Sequence, residues 1–331
     1  MSIIKSDFAL ALNQIATERG ISLDDVLTSI KEAVKIAYKK EYNEEESEDI
    51  EVRIDPGTGE ATLYRDGKDI TPPGFGRIAT QTAKQIIIQK IREAEKKSVI
   101  AHFKKLEKTL INGRVIRFDG RVAFIDVGRA EAILPPSEQI RNEHYTPNDR
   151  LVLYLSEVID DGAGYKIIVS RRDPRLVEEL FRREVPELSQ GLIEIKRIVR
   201  EAGERTKIAV ASKERGVDPV GSCVGQRGVR IQSVIHSLGV DEKIDVVQWN
   251  DDPKTLIINA LSPSKPIEIE LDEENKHATI RVDSDELSLI IGKEGQNIRL
   301  ASKIADYTLK AVAKDAPTSA EATVDVPPAK A

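Results

Sequence analysis

The chain has 331 residues, 40% of them hydrophobic, 32% charged and only 4% aromatic. That length predicts two or three domains, and that balance predicts small αβ modules packed with Ile, Val, Leu and Ala rather than one large aromatic core. A formal net charge of −6 argues, for the chain taken whole, against a binder of phosphates. The single cysteine, Cys223, excludes an internal disulfide and suits a reducing compartment. No run approaches the ~20 apolar residues of a membrane span.

Residues 3–18 read as an amphipathic helix with Ile4, Phe8, Leu12 and Ile15 on one face, and not as a signal peptide, so a cytoplasmic protein is expected. Ser22 caps a second helix, with Asp24 and Asp25 in its first turn and a stripe of Leu23, Val26, Leu27, Ile30, Val34 and Ala37. An acidic run follows over 41–51, without a single base. The alternation in 50–54, the turn at Pro56-Gly57 and Gly59, and the run ATLYR predict a hairpin. After the breaker-rich ITPPGFG, residues 78–108 read as one long helix. Ile87, Ile91, Ala94 and Val99 are available to the core, and its bases include Lys96, Lys97, Lys104 and Lys105. Local charge is what a partner meets within a Debye length of about 10 Å, so this asymmetry outweighs the whole-chain figure.

The character changes at residue 110. Five short strands to residue 171 (LINGRVIRF, RVAFIDVG, AEAILP, DRLVLYLSEVI, GYKIIVSRR) predict a closed barrel of the OB type. Asp173-Pro174 then opens a helix. From 191 there is an internal repeat: a strand-rich half followed by a glycine turn and a helix. The first turn is Gly225-Gln226-Arg227-Gly228 and the second Gly292-Lys293-Glu294-Gly295, each after an apolar pair and with an Ile three residues beyond its second glycine. The tail 316–331, rich in Pro, Ala, Thr and Glu, is expected to be disordered.

Glycines at this spacing let backbone approach a nucleotide phosphate with no Cβ in the way, and the helix that follows aims its amides and dipole at the anion. This is the chemistry of the KH module, which clamps about four nucleotides. A lone GxxG would be weak; a repeated one is not. Arg227 and Arg230 are the candidates for phosphate contact beside the first loop, Lys293 and Asn297 beside the second, where Glu294 must point away or meet a base edge. The segment GRVIRFDGRVAFIDVG resembles an S1 domain. It nominates Phe124 as a stacking surface, Phe118 as a second candidate, and Arg171 at the end of the last strand. Trp249 reads as packing. No nucleotide-binding loop, metal-ligand spacing or catalytic grouping is present. His102, His144, His236 and His277 are scattered, and Cys223 reads as a small buried hydrophobe, so neither enzyme nor cofactor is expected.

The order of helical head, S1, KH, KH resembles the NusA family of bacterial transcription termination/antitermination factors. So do the runs GRIATQTAKQIIIQKIREAE (76–95), ELFRREVPE (179–187), IEIKRIVREAGERTKIAV (193–210), DPVGSCVGQRGVRIQSV (218–234) and IGKEGQNIRLASKIA (291–305). The resemblance implies an α+β multidomain protein. Its parts would be an RNA-polymerase-binding head over 1–106, an S1 barrel over 107–172 and two prokaryotic-type (type II) KH domains over 173–262 and 263–315. It further implies nascent single-stranded RNA, RNA polymerase and other Nus-type factors as partners of a monomer, with Lys96, Lys97, Lys104 and Lys105 at the polymerase surface. Against the family pattern, the stretch 65–76 is short, Pro135 stands where many S1 domains have a histidine, and acidic repeats are not expected after the second KH domain. The same modules could serve instead as an RNA-binding accessory to degradation or translation.

Overall fold

The computed structural model describes residues 23–42, 50–55, 60–162, 164–264 and 266–314. The expected helix at 3–18, most of the acidic run, the turn at Pro56-Gly57 and Gly59, and the tail 316–331 lie outside the described residues. The chain forms two compact units. One comprises the residues up to Lys105 together with Asp160–Tyr165; the other comprises Leu106–Ile159 and everything from Lys166 on.

In the first unit, helix α1 (Leu23–Tyr42) carries Asp24 and Asp25 in its first turn and Lys39 and Lys40 in its last, each sign where the helix dipole favours it. Strands β1 (Ile50–Ile54), β2 (Ala61–Arg65) and β3 (Lys68–Asp69) form an antiparallel meander. Helix α2 (Phe75–Lys104) starts three residues earlier than the sequence suggested, because Gly74 takes φ 86° and turns the chain directly into it. Every fourth residue of α1 (Val26, Ile30, Val34, Tyr38) meets Phe75, Ala79, Ala83 and Ile87 of α2 over Ile50, Val52 and Leu63 of the sheet. Tyr38 meets Phe75 edge-on at 5.7 Å between ring centroids. Of the four apolar positions expected to face the core from α2, Ile87 is buried and Ile91 packs against it, whereas Ala94 and Val99 are only half-buried.

The second unit begins with the barrel. Strands β4 (Leu110–Phe118), β5 (Ala123–Asp126), β6 (Glu131–Leu134), β7 (Arg150–Asp160) and β8 (Tyr165–Ser170) close in the order β4-β5-β6-β8-β7, with β6 and β8 parallel. The five strands expected are the five found, in OB-type topology. Two KH folds follow. In the first, helices α3 (Pro174–Glu184) and α4 (Pro186–Ser189) precede strands β9 (Ile193–Glu201) and β10 (Arg205–Ser212). Helices α5 (Pro219–Val224) and α6 (Val229–Leu238) and strand β11 (Lys243–Gln248) complete it. The second repeats the plan with α7 (Pro253–Leu261), β12 (Glu268–Asp272), β13 (His277–Val282), α8 (Leu287–Ile291), α9 (Gln296–Ala305) and β14 (Thr308–Ala313). In both sheets the middle strand runs antiparallel to the preceding strand and parallel to the following one. Helices α3, α5 and α7 each start at Asp-Pro: the aspartate accepts a hydrogen bond from a first-turn amide, and the proline fills a position that needs no donor.

These modules are joined by packing as well as by chain. Leu110, Val152 and Tyr154 of the barrel share a core with Leu176, Val177, Leu180 and Phe181 of α3. Ala209 and Val247 of the first KH sheet share another with α7 and with Ile269, Ile280, Ile298, Ala301 and Ile304 of the second KH fold.

Candidate nucleic-acid interface

Both glycine turns are built by one backbone conformation. Gly225 (φ 76°, ψ 170°) matches Gly292 (φ 71°, ψ 178°), and Arg227 (φ 53°, ψ 24°) matches Glu294 (φ 52°, ψ 30°). Gly228 and Gly295 enter helices α6 and α9 at φ 77° and 73°. In each, the second glycine's N–H donates to the first glycine's carbonyl, at 3.1 Å for Gly228 to Gly225 and 3.2 Å for Gly295 to Gly292. A Cβ on Gly225 would lie 2.8 Å from Arg230 Cγ, and one on Gly292 the same 2.8 Å from Asn297 Cβ, so the chain five residues on presses against the first glycine in both repeats. Arg227 and Glu294 hold left-handed conformations that non-glycine residues seldom adopt, a strain that collects at functional loops. Gln226, Arg227, Lys293 and Glu294 are all exposed at the tips.

The neighbouring candidates divide. Arg230 lies against the first loop, and its Nη1 donates to the Glu187 carboxylate at 3.0 Å and to the Ser222 carbonyl at 2.7 Å, while a third of its side chain stays exposed. Asn297 is 2% exposed, and its amide donates to the carbonyls of Leu289 and Ile290, clipping α9 to α8. The expectation of RNA contact is therefore corrected for Asn297, which is buried and holds the second turn in shape. The sequence reading did not single out the apolar residue that stands open beside each loop, Val229 (67% exposed) and Leu289 (62% exposed). Each is an apolar residue off its helix's buried stripe, and that was the available signal. Cys223 lies directly before the first loop, fully buried. Burial, and then the charge of Glu187, push its thiol up to about 12, so it stays protonated and inert.

On the barrel, Phe124 is half-buried on the outer side of β5 and pairs with Arg117 across the β4–β5 ladder. The Arg117 guanidinium lies 3.4 Å above the centre of its ring. The cross-strand register brings the two side chains together as a cation–π pair. Phe118 is 41% exposed at the rim beside Tyr145. Arg171, expected at the RNA surface, is 1% exposed. It binds Glu143 with Nε and Nη2, the Val152 carbonyl with Nη1 at 2.8 Å, and the Leu238 carbonyl at the end of α6. It pins the barrel to the first KH fold and has no face left for RNA. The Arg171 carbonyl in turn accepts from Arg200, whose guanidinium forms a bidentate pair with Glu242 at 2.8 Å, both side chains fully buried. Burial pushes the Glu242 carboxyl up. The bonds and charge of Arg200, with Thr206 and the Gly203 amide, outweigh it and hold the group below its ordinary value. Trp249 packs at the edge of the inter-KH core and donates to Asp251, as its packing role requires.

Lys97 and Lys104 on α2 and Lys105 at its C-terminal cap are exposed. Lys96 is not free: its Nζ lies 2.7 Å from Asp160 and donates to the Gly162 carbonyl at 2.8 Å. This tie lies at the surface, with the Asp160 side chain half exposed. Among the described residues no group of His, Cys, Asp and Glu could hold a metal ion, and no helix is long and apolar enough to cross a membrane.

An OB-type barrel running into two KH folds with matched GxxG turns is the build of a multi-module RNA-binding protein. Residues 171–249 match the NusA-like first KH domain, 253–318 the NusA-like second KH domain, and 7–71 with 67–97 the NusA N-terminal domain. The chain is 38% identical to the transcription termination/antitermination protein NusA of Bacillus subtilis (strain 168), an alignment covering 92% of this chain and 90% of that protein. It is 39% identical to the NusA of Thermus thermophilus (92% and 89% covered) and 34% identical to that of Rickettsia prowazekii (90% and 66% covered). The chain belongs to the NusA family.

Proposed function

We propose that the chain acts in transcription elongation, termination and antitermination by holding RNA polymerase with its head and nascent single-stranded RNA with its barrel and KH folds. The observation that carries this reading is the pair of GxxG turns with one backbone conformation and exposed polar tips. The RNA-contacting set is Gly225, Gln226, Arg227 and Gly228 in the first KH fold and Gly292, Lys293, Glu294 and Gly295 in the second. Phe124 with Arg117 on the barrel, and Val229 and Leu289 beside the loops, complete it. The head spans 1–106, the barrel 107–172, and the KH folds extend to 315. The protein works by binding and not by turnover, as a cytoplasmic monomer, with other Nus-type factors among its partners.

The exposed bases Lys97 and Lys104 of α2 and Lys105 at its cap form the polymerase-facing charge, since a one-sign patch steers a partner into one orientation. The test is capture of RNA polymerase by the full chain, by residues 1–106 and by residues 107–331. The head should retain polymerase without RNA, and reversing the three lysines to Glu should weaken capture in a salt-dependent way while leaving helicity unchanged. Undiminished capture by the reversed protein would move the contact to another face.

A further inference from the structure

The two KH clamps share a backbone but not their surroundings. Helix α6 leaves its first loop into open space: Val229 is 67% exposed, and Gln232 in the following turn is also exposed. At the matching positions of the second fold stand Gln296 and Arg299, and both reach into the first KH fold. Gln296 Nε2 donates to Glu201 at 2.9 Å and to Glu204 at 2.7 Å, and Arg299 binds the Glu201 carboxylate with Nε at 2.6 Å and Nη2 at 2.9 Å. Glu201 ends β9, and Glu204 lies in the turn to β10. The third nitrogen of Arg299, Nη1, donates at 3.2 Å to the carbonyl of Glu294, the left-handed residue at the tip of the second GxxG turn. That carbonyl belongs to the same planar peptide as the Gly295 N–H, which closes the turn on Gly292. At the far end of α9, Arg197 Nη1 donates to the carbonyls of Lys303 and Ile304, so β9 grips this helix at both ends.

We infer that Glu201 of the first KH fold is a positioning residue for the second RNA clamp: through Arg299 it fixes the Glu294–Gly295 peptide, so the second clamp is preorganised only while the first fold is docked beside it. The inference rests on the reading of both loops as RNA clamps. A bidentate guanidinium–carboxylate pair supplies a fixed geometry that one flexible side chain cannot, and Arg299 has one donor left to hand that geometry on. The first clamp has no such dependence. Order in the pair therefore runs one way: the first KH fold can present its loop alone, while the second needs its neighbour.

The test is a set of affinity measurements on the full chain with an unstructured oligoribonucleotide of about ten nucleotides, enough for two clamps of about four each. Glu201→Ala is made alone, with the first loop disabled (Arg227→Asp) and with the second disabled (Lys293→Asp). Contacting residues couple and distant ones add. Glu201→Ala should weaken binding at least about threefold alone and by the same factor beside Arg227→Asp, and should have no further effect beside Lys293→Asp. Glu201→Gln, which keeps the volume and one acceptor, should give the same pattern at smaller size and guards against a variant that fails to fold. Equal weakening in both backgrounds would reduce Glu201 to a general structural role, and no weakening in any would overturn the brace. If Lys293→Asp alone left affinity unchanged, the second loop would not be a clamp, and the reading underneath the brace would fall instead.

Discussion

At Gly113, in the middle of β4, a Cβ would sit 2.3 Å from Ile125 Cγ2 and 3.0 Å from Leu153 Cδ1. The glycine is there because the barrel is closed tightly around it. Gly113→Ala should cost about 1–3 kcal/mol by overpacking, read from chemical unfolding of the barrel-containing unit. The buried Arg200–Glu242 pair makes a second prediction. Glu242→Gln leaves a guanidinium buried without its counter-charge, a loss of about 3–5 kcal/mol. Because the Glu242 carboxyl is held below its ordinary 4.5 in the folded state, its stabilisation is complete above that pH and drains away as pH falls through the lower folded value. Stability measured from neutral pH down to acid should fall more steeply below about 4.5 in the parent than in the variant, which has no such carboxylate to protonate. If the two curves ran parallel, another group would be responsible for the acid limb. The same scale shows where sequence reasoning stops. Spacing placed Arg230 and Asn297 beside the loops correctly, but the side on which each turns depends on Glu187 and on the carbonyls of Leu289 and Ile290, which only the folded chain brings near. Arg171 closes a strand like any surface arginine until Glu143 and Leu238 arrive from elsewhere in the chain.

Among the elements, those written in local pattern were legible: the five strands of the barrel from their alternation, and the two KH folds from a repeated turn. Boundaries set by one residue's dihedral or by packing were not. Helix α2 begins where Gly74 takes a positive φ, and no periodicity marks that residue. Helix α7 was read as the end of the first KH fold, closing at 262, yet the second KH match begins at 253. In the structure, Leu256, Ile257, Ala260 and Leu261 are buried in a core with Ile298, Ala301 and Ile304 of α9. Each large apolar side chain so buried contributes about 1.5–3 kcal/mol, so the helix supplies much of what a fold this small can muster. A fragment of residues 263–314 should therefore remain unfolded, while 250–314 should show a cooperative thermal transition by circular dichroism. A folded 263–314 fragment would show that α7 is a linker after all.

For the whole molecule, packing is continuous from barrel to first KH fold to second, so the proposed RNA surface should act as one body. The net charge of −6 points away from a nucleic-acid partner, but in the proposed reading phosphate is met by loop tips and helix ends and not by the average surface. If both turns are clamps, the pair should bind a continuous strand better than either alone, since the second clamp closes at high effective concentration. The central claim is tested most directly by the salt dependence of affinity for an unpaired RNA, by fluorescence anisotropy, in the parent and in the Gln226→Asp, Arg227→Asp double variant. Both positions are exposed, so the fold should be unchanged. Affinity should drop, and the slope of log K against log salt should shrink by about 0.7 for each phosphate that the variant no longer neutralises. A folded double variant that binds RNA with the parent's affinity and the parent's slope would contradict the clamp, and with it the proposed function.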